Sequence, residues 1–156
     1  MEAVIILLDT GPLGRISNPR ATPANQECRR WLASLAASGV RVLVPEIADY
    51  ELRRESLRTG SVPGLAALDQ LHFAAGCAPI TTLAMRYAAE FWAQARRQGQ
   101  PTAPDLALDG DVILAAQATA LATQENDNVV IATENLRHLA RFAVADHWRN
   151  IGPPTP

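Results

Sequence analysis

The stretch Val4-Ile5-Ile6-Leu7-Leu8 is apolar without interruption and runs straight into Asp9. A strand with one wet face alternates in polarity, whereas a strand covered on both faces reads as a continuous apolar run. This run therefore predicts a central strand of a parallel sheet with helices on either side. Thr10, Gly11 and Pro12 then stop it by turn chemistry. Asp9 falls at the carboxyl end of that strand, the edge where open α/β sheets bind ligands. Capping of the following turn or helix accounts for a lone aspartate there equally well.

The rest of the chain repeats the alternation. A helix is expected from about Ala24 to Ser38, with Trp31, Leu32 and Leu35 on one face and Gly39 as its stop. "VRVLVP" reads as the second strand, with Pro45 opening a helix to about Arg58. A shorter helix over "VPGLAALDQLHFAAG" and a weak strand at "CAPIT" follow. A long helix ends at Gly99, "QPTAPDLALDG" is a loop, and "DVILAAQATALATQE" is a helix rich in small residues. "NVVIAT" is a strand, "NLRHLARF" a short helix and "AVADHW" a fifth strand. Strands alternating with helices imply a three-layer α/β/α sandwich on a mostly parallel, about five-stranded sheet. The two helices after the second strand are expected beside the active edge.

Length and composition keep this to one domain, over 1–151, with a short tail, "GPPTP", at 152–156 that is expected to be flexible. Cys28 and Cys77 lie far apart without metal-ligand spacing, as ordinary small apolar residues of a reducing compartment. The first apolar run is too short for a signal peptide or a membrane span. A cytoplasmic protein with no membrane attachment is expected. All 14 basic residues are arginine, so any mechanism that needs a lysine is excluded.

Three further polar sites share the oddity of Asp9. Glu51, in "PEIADYELRRE", lies four residues after Ile47 and so shares its helix face; pairing with Arg54 is the plainer role for it. Asp109 and Asp111 bracket Gly110 where a helix begins. Capping explains one of them, but two carboxylates at one helix start repel, and a divalent cation relieves that repulsion. The small residues Ala115, Ala118 and Ala122 suit close packing of that helix on the sheet. Finally, the strand "VVIAT" ends on Thr133, Glu134 and Asn135, at the same sheet edge as Asp9 if the strands are parallel. Thr133 also suits the role of cap for the next helix. A carboxylate cluster with no lysine and no histidine nearby selects a hard cation, Mg²⁺ or Mn²⁺; such an ion holds phosphates and activates water. His72, His138 and His147 show no zinc spacing, which argues against that metal.

"LLDTGPL", "VPEIADYEL", "DVILAAQA" and "IATENLRHL" together resemble, in order and spacing, the motifs of PIN-domain nucleases, nearest to VapC-type toxins of bacterial toxin–antitoxin pairs. The resemblance covers nearly the whole chain. It implies that Asp9, Glu51 and Asp111 are metal-binding acids, with Asp109 an additional acid and Thr10 and Thr133 in support. The family often carries a fourth acid after the last strand's threonine; here Asn135 stands there, with Glu134 beside it. The resemblance also implies Mg²⁺- or Mn²⁺-dependent endoribonuclease action with one or two ions, a homodimer, and a cognate antitoxin whose tail occupies the active groove. In that chemistry water attacks phosphorus in line, and no covalent enzyme intermediate forms.

Rival readings are weaker. "LLDTG" is similar to the start of haloacid-dehalogenase-type phosphatases, but those use a second aspartate where Gly11 stands. A receiver domain needs a lysine. A PIN-fold module that only binds RNA or a partner is the alternative, and the fourth position keeps it in play. A formal net charge of −2 sits awkwardly with RNA binding, where phosphate neutralisation supplies much of the affinity. Arg53, Arg54, Arg58, Arg137 and Arg141 lie near the motifs and would form a local basic rim, though for any one of them a solvated helix face or a salt bridge is the preferred role.

Overall fold

The structure is a computed structural model that describes residues 4–104 and 109–154. The expected loop over 100–110 and the tail at 152–156 therefore lie partly outside the described residues. The first strand, β1 (Val4–Leu8), is central, in a sheet of order β3-β2-β1-β4-β5. The others are β2 (Arg41–Pro45), β3 (Cys77–Ala78), β4 (Asn128–Thr133) and β5 (Ala145–His147), and every pairing is parallel.

Among the described residues, seven α-helices cover the two faces: α1 (Thr10–Ser17), α2 (Pro23–Ala37), α3 (Glu46–Thr59), α4 (Val62–Ala75), α5 (Thr82–Arg97), α6 (Gly110–Glu125) and α7 (Leu136–Leu139). The unbroken apolar run of β1 now has its reason. Ile5 and Leu7 enter one core with Ile113, Leu114, Ile131 and Leu139, while Ile6 and Leu8 enter the opposite core with Leu13, Leu35, Leu68 and Trp148. Each such fully buried side chain contributes roughly 1.5–3 kcal/mol before entropy is counted.

Two expectations are refined. Thr10, Gly11 and Pro12 stop the strand, but they also begin α1, with Asp9 as its N-cap. Proline is tolerated in a first turn because its missing N–H has no intrahelical partner there. The second of the paired helices, α4, is no shorter than α3. Among the described residues no helix is long and apolar enough to cross a membrane.

The strand order reverses at β1. The chain proceeds outward through β2 and β3, then returns to lay β4 on the other side of β1. Such a switch point opens a crevice at the carboxyl ends of the two central strands. Leu8 stands opposite Ala132 in the β1–β4 register, and the Asp9 N–H donates to the Ala132 carbonyl at 2.9 Å. Asp9 and Thr133 therefore reach that crevice side by side.

Candidate active site

Asp9 is held by both carboxylate oxygens. The Thr10 backbone N–H donates to Oδ1 at 2.7 Å, and the Thr133 hydroxyl donates to Oδ2 at 2.7 Å. Thr133 in turn accepts from the Asn135 N–H at 2.9 Å. Burial raises the Asp9 pKa, and the nearby charge of Asp111 raises it further, against the lowering effect of its hydrogen bonds. The capping reading of Asp9 holds, and the capping side chain stands at the carboxyl end of β1.

Glu51 projects from α3. Its helix begins at Pro45 without a side-chain cap, so the N–H groups of its first turn need outside acceptors. Buried Gln117 of α6 supplies one: its Oε1 accepts from the Ile47 N–H at 3.4 Å, while its Nε2 donates to the Ala78 carbonyl at 2.8 Å. That bridge sets α3 against α6. The Glu51 carboxylate then occupies the space a side chain at Gly110 would fill; a Cβ there would stand 2.7 Å from Oε1. Burial raises the Glu51 pKa first, then the charges of Asp9, Asp111 and Asp109, with Arg54 pulling the other way. Arg54 itself lies over the Tyr50 ring, 5.1 Å from its centroid.

Asp109 and Asp111 divide their tasks. Asp109 is buried and caps α6: Oδ1 accepts from the Val112 N–H at 3.2 Å, and Oδ2 accepts from the Thr102 hydroxyl. Asp111, in the first turn of α6, has one oxygen bound to His138 of α7, with Nδ1 2.8 Å from Oδ2. The expectation of no histidine near the acids is corrected here. The two residues are 27 apart in sequence, and only the packing of α7 on α6 brings them together.

Asn135 caps α7, its side chain accepting from the Arg137 N–H at 3.4 Å. Glu134 turns elsewhere. It lies over Gly11, where any Cβ would come within 3.0 Å of it, and it accepts from Arg15 and, at 2.9 Å, from the Trp148 indole N–H. Burial alone would raise the Glu134 pKa, but those two donors hold it below the usual carboxylate value.

The arginines of the expected rim have defined surroundings. Arg53 bridges Asp49 at 2.8 Å and Asp69 at 2.8 Å, on a different helix face from Glu51, as a two-residue offset dictates. Arg58 pairs with Glu55, and Arg141 donates to the Gln100 carbonyl. Arg137 is exposed at the start of α7.

Three carboxylates, Asp9, Glu51 and Asp111, thus stand at one crevice, with Asp109 behind them as the cap of α6, and Asp9 and Glu51 carry raised pKa values. Among the described residues no three His, Cys, Asp or Glu side chains stand close enough to hold one ion in this conformation. The donor chemistry nonetheless fits a hard cation. The facing donors of Asp9, Glu51 and Asp111 are all carboxylate oxygens, and their mutual repulsion is what such an ion relieves.

Comparison with known proteins agrees with this architecture. No protein-family model matches the chain, and no curated protein matches it in sequence. Solved structures do match. A chain of VapBC2 from Rickettsia felis, bound to a promoter DNA fragment, superposes with TM-score 0.68 at 16% identity, over 92% of this chain and 98% of that one. VapBC-1 from nontypeable Haemophilus influenzae gives 0.67 at 17% identity, over 93% and 98%. FitAcB from Neisseria gonorrhoeae gives 0.63 at 20% identity, over 94% and 99%. At such identities the likeness speaks for architecture, and the fold of this chain is PIN-like, similar to that found in the VapBC and FitAB complexes.

Proposed function

We propose that this protein is a metal-dependent endoribonuclease and the toxin of a toxin–antitoxin pair. The observation that carries this reading is Asp9 at the sheet's switch point, tied to Thr133, with the Glu51 carboxylate lying against Gly110 next to Asp111, and with Asp9 and Glu51 pushed above their ordinary pKa by burial and by neighbouring charge. Asp9, Glu51 and Asp111 are the residues that would hold Mg²⁺ or Mn²⁺. Such an ion polarises a phosphoryl oxygen and lowers the pKa of a bound water. The chain's own part is to orient the acids: Thr10 and Thr133 fix Asp9, Gln117 sets the helix of Glu51, and Asp109 fixes the start of α6. Asn135 contributes through the position of α7, and Arg54 and Arg137 are the arginines we assign to the RNA backbone, with Arg53 behind them. Likeness to VapBC and FitAB complexes supports a cognate antitoxin. A homodimer, a cytoplasmic setting and a single nuclease domain over 1–151 complete the proposal.

The test is cleavage of end-labelled RNA in Mg²⁺, in Mn²⁺ and in chelator. Cleavage is expected with either metal, none in chelator, and a loss beyond about 100-fold for Asp9→Asn, more than the loss of a supporting residue. Cleavage that survives chelator or Asp9→Asn in a folded protein would overturn the reading. One observation favours a second reading, a PIN-fold module that binds RNA or a partner without cutting: no three acids converge in this conformation. RNA binding without cleavage in either metal would select it.

A further inference from the structure

Asp111 stands in the first turn of α6 with its side chain 39% exposed, and nothing in its own helix fixes its direction. The group that does so comes from the other side of the crevice. His138 Nδ1 lies 2.8 Å from Asp111 Oδ2. A carboxylate only accepts, so the proton is on Nδ1 and the imidazole donates. This leaves Oδ1 of Asp111 without that restraint.

The placement of His138 follows from the residue where the resemblance leads one to look for an acid. Asn135 caps α7, and α7 is a single turn, Leu136–Leu139. Leu139 is buried in the core with Val112 and Ala115 of α6. With the cap at one end and that anchor at the other, position 138 is turned toward the start of α6. The same short segment therefore braces two acids, Thr133 holding Asp9 and His138 holding Asp111.

We propose that His138 is a positioning residue of the metal site, its imidazole orienting the Asp111 carboxylate so that the opposite oxygen is presented to the ion. The inference rests on the proposed metal-site reading. Hydrogen-bond partners of metal ligands typically matter 10–100-fold in metal affinity, and a neutral donor is enough for this task. The role needs a donor at the Nδ1 position and no ligation by the ring.

Calorimetric titration of Mn²⁺ into the RNA-free protein tests this, with Asp9→Asn, His138→Ala and His138→Asn alongside. Circular dichroism melts show that each variant is folded. His138→Ala should weaken Mn²⁺ binding by about 10-fold or more. His138→Asn, whose amide N–H stands near the Nδ1 position, should recover affinity to within about 3-fold of wild type, inside that margin. Equal Mn²⁺ affinity in His138→Ala and wild type, with Asp9→Asn impaired, overturns this inference alone. Failure of the wild type to bind Mn²⁺, or undiminished binding by Asp9→Asn, overturns the metal-site reading and this inference with it. A far greater loss for Co²⁺ or Ni²⁺ than for Mn²⁺ in His138→Ala overturns positioning in favour of direct ligation, since imidazole suits those ions better.

Discussion

The Glu51 carboxylate lies in the space that Gly110 leaves open: a Cβ at 110 would sit 2.7 Å from Oε1 and 3.0 Å from Cδ. This approach joins α3 to the start of α6 and sets how near Glu51 comes to Asp111. The glycine is needed for room at that point.

Gly110→Ala tests that relationship. The atoms in the way belong to the far end of a flexible side chain, so Glu51 must move and the helix need not. Alanine favours a helix over glycine by about 0.5–1 kcal/mol. The melting temperature should hold or rise, while Mn²⁺ affinity and RNA cleavage fall about 10-fold or more, as for other lost site supports. Unchanged cleavage in a folded Gly110→Ala protein would show that the position of Glu51 is immaterial.

Thr133→Val keeps shape and removes the hydroxyl that donates to Asp9. Thr133 is fully buried, so a carboxylate oxygen of Asp9 loses its partner within the fold. A cost of about 1–3 kcal/mol is expected from such an unsatisfied group, together with a 10–100-fold loss in metal affinity. Chemical denaturation and calorimetry read the two effects separately.

Glu51 has a pH signature. Its folded-state pKa is raised above 4.5, by burial first and then by Asp9 and Asp111. For an acid raised in the folded state, the native protein holds the proton more tightly, so stability falls as pH climbs through the ordinary value toward the raised one. In chelator, Glu51→Gln should therefore raise the melting temperature at neutral pH and leave it unchanged below pH 4.5. Excess Mn²⁺ should stabilise the wild type at neutral pH and not the variant. A variant no more stable than wild type in neutral chelator would refute the repulsion argument.

Glu134 works in the opposite sense. Its pKa is lowered, with burial outweighed by the donors Arg15 and Trp148. Its contribution is present above 4.5 and is lost as pH falls through the lowered value. Glu134→Ala should cost about 1–3 kcal/mol, as for a lost hydrogen bond to a charged group, and should change Mn²⁺ affinity by less than about 2-fold, outside the range of site supports. A large loss of affinity would return Glu134 to the metal site.

The fold was legible wherever its cause is local. The apolar run of β1 announced a strand covered on both faces, that of β4 a further strand, and the Asp109–Gly110–Asp111 triplet announced a capped helix start. Asp109 now takes the cap and Asp111 the crevice, a division that chemistry alone left open. What escaped was set by packing. The start of α1 was hidden because Gly11 and Pro12 punctuate one element and begin the next. His138 and Gln117 carry no local signal beyond being polar residues near apolar ones, and their partners lie 27 and 70 residues away. The surroundings of Arg53 were half legible: Asp49 sits one turn before it, while Asp69 arrives from another helix.

The hydrogen bond from Thr133 to Asp9 spans 124 residues of chain. β1 is made well before its neighbour β4, which begins only at Asn128. Closing so long a loop carries an entropic cost before any contact rewards it. On the ribosome, β1 must wait beside β2 until β4 has emerged. The brace on Asp9 can form only after α1 to α6 have been made. The sequence up to Asp127 encodes α1 to α6 and still lacks the strand that aligns Asp9.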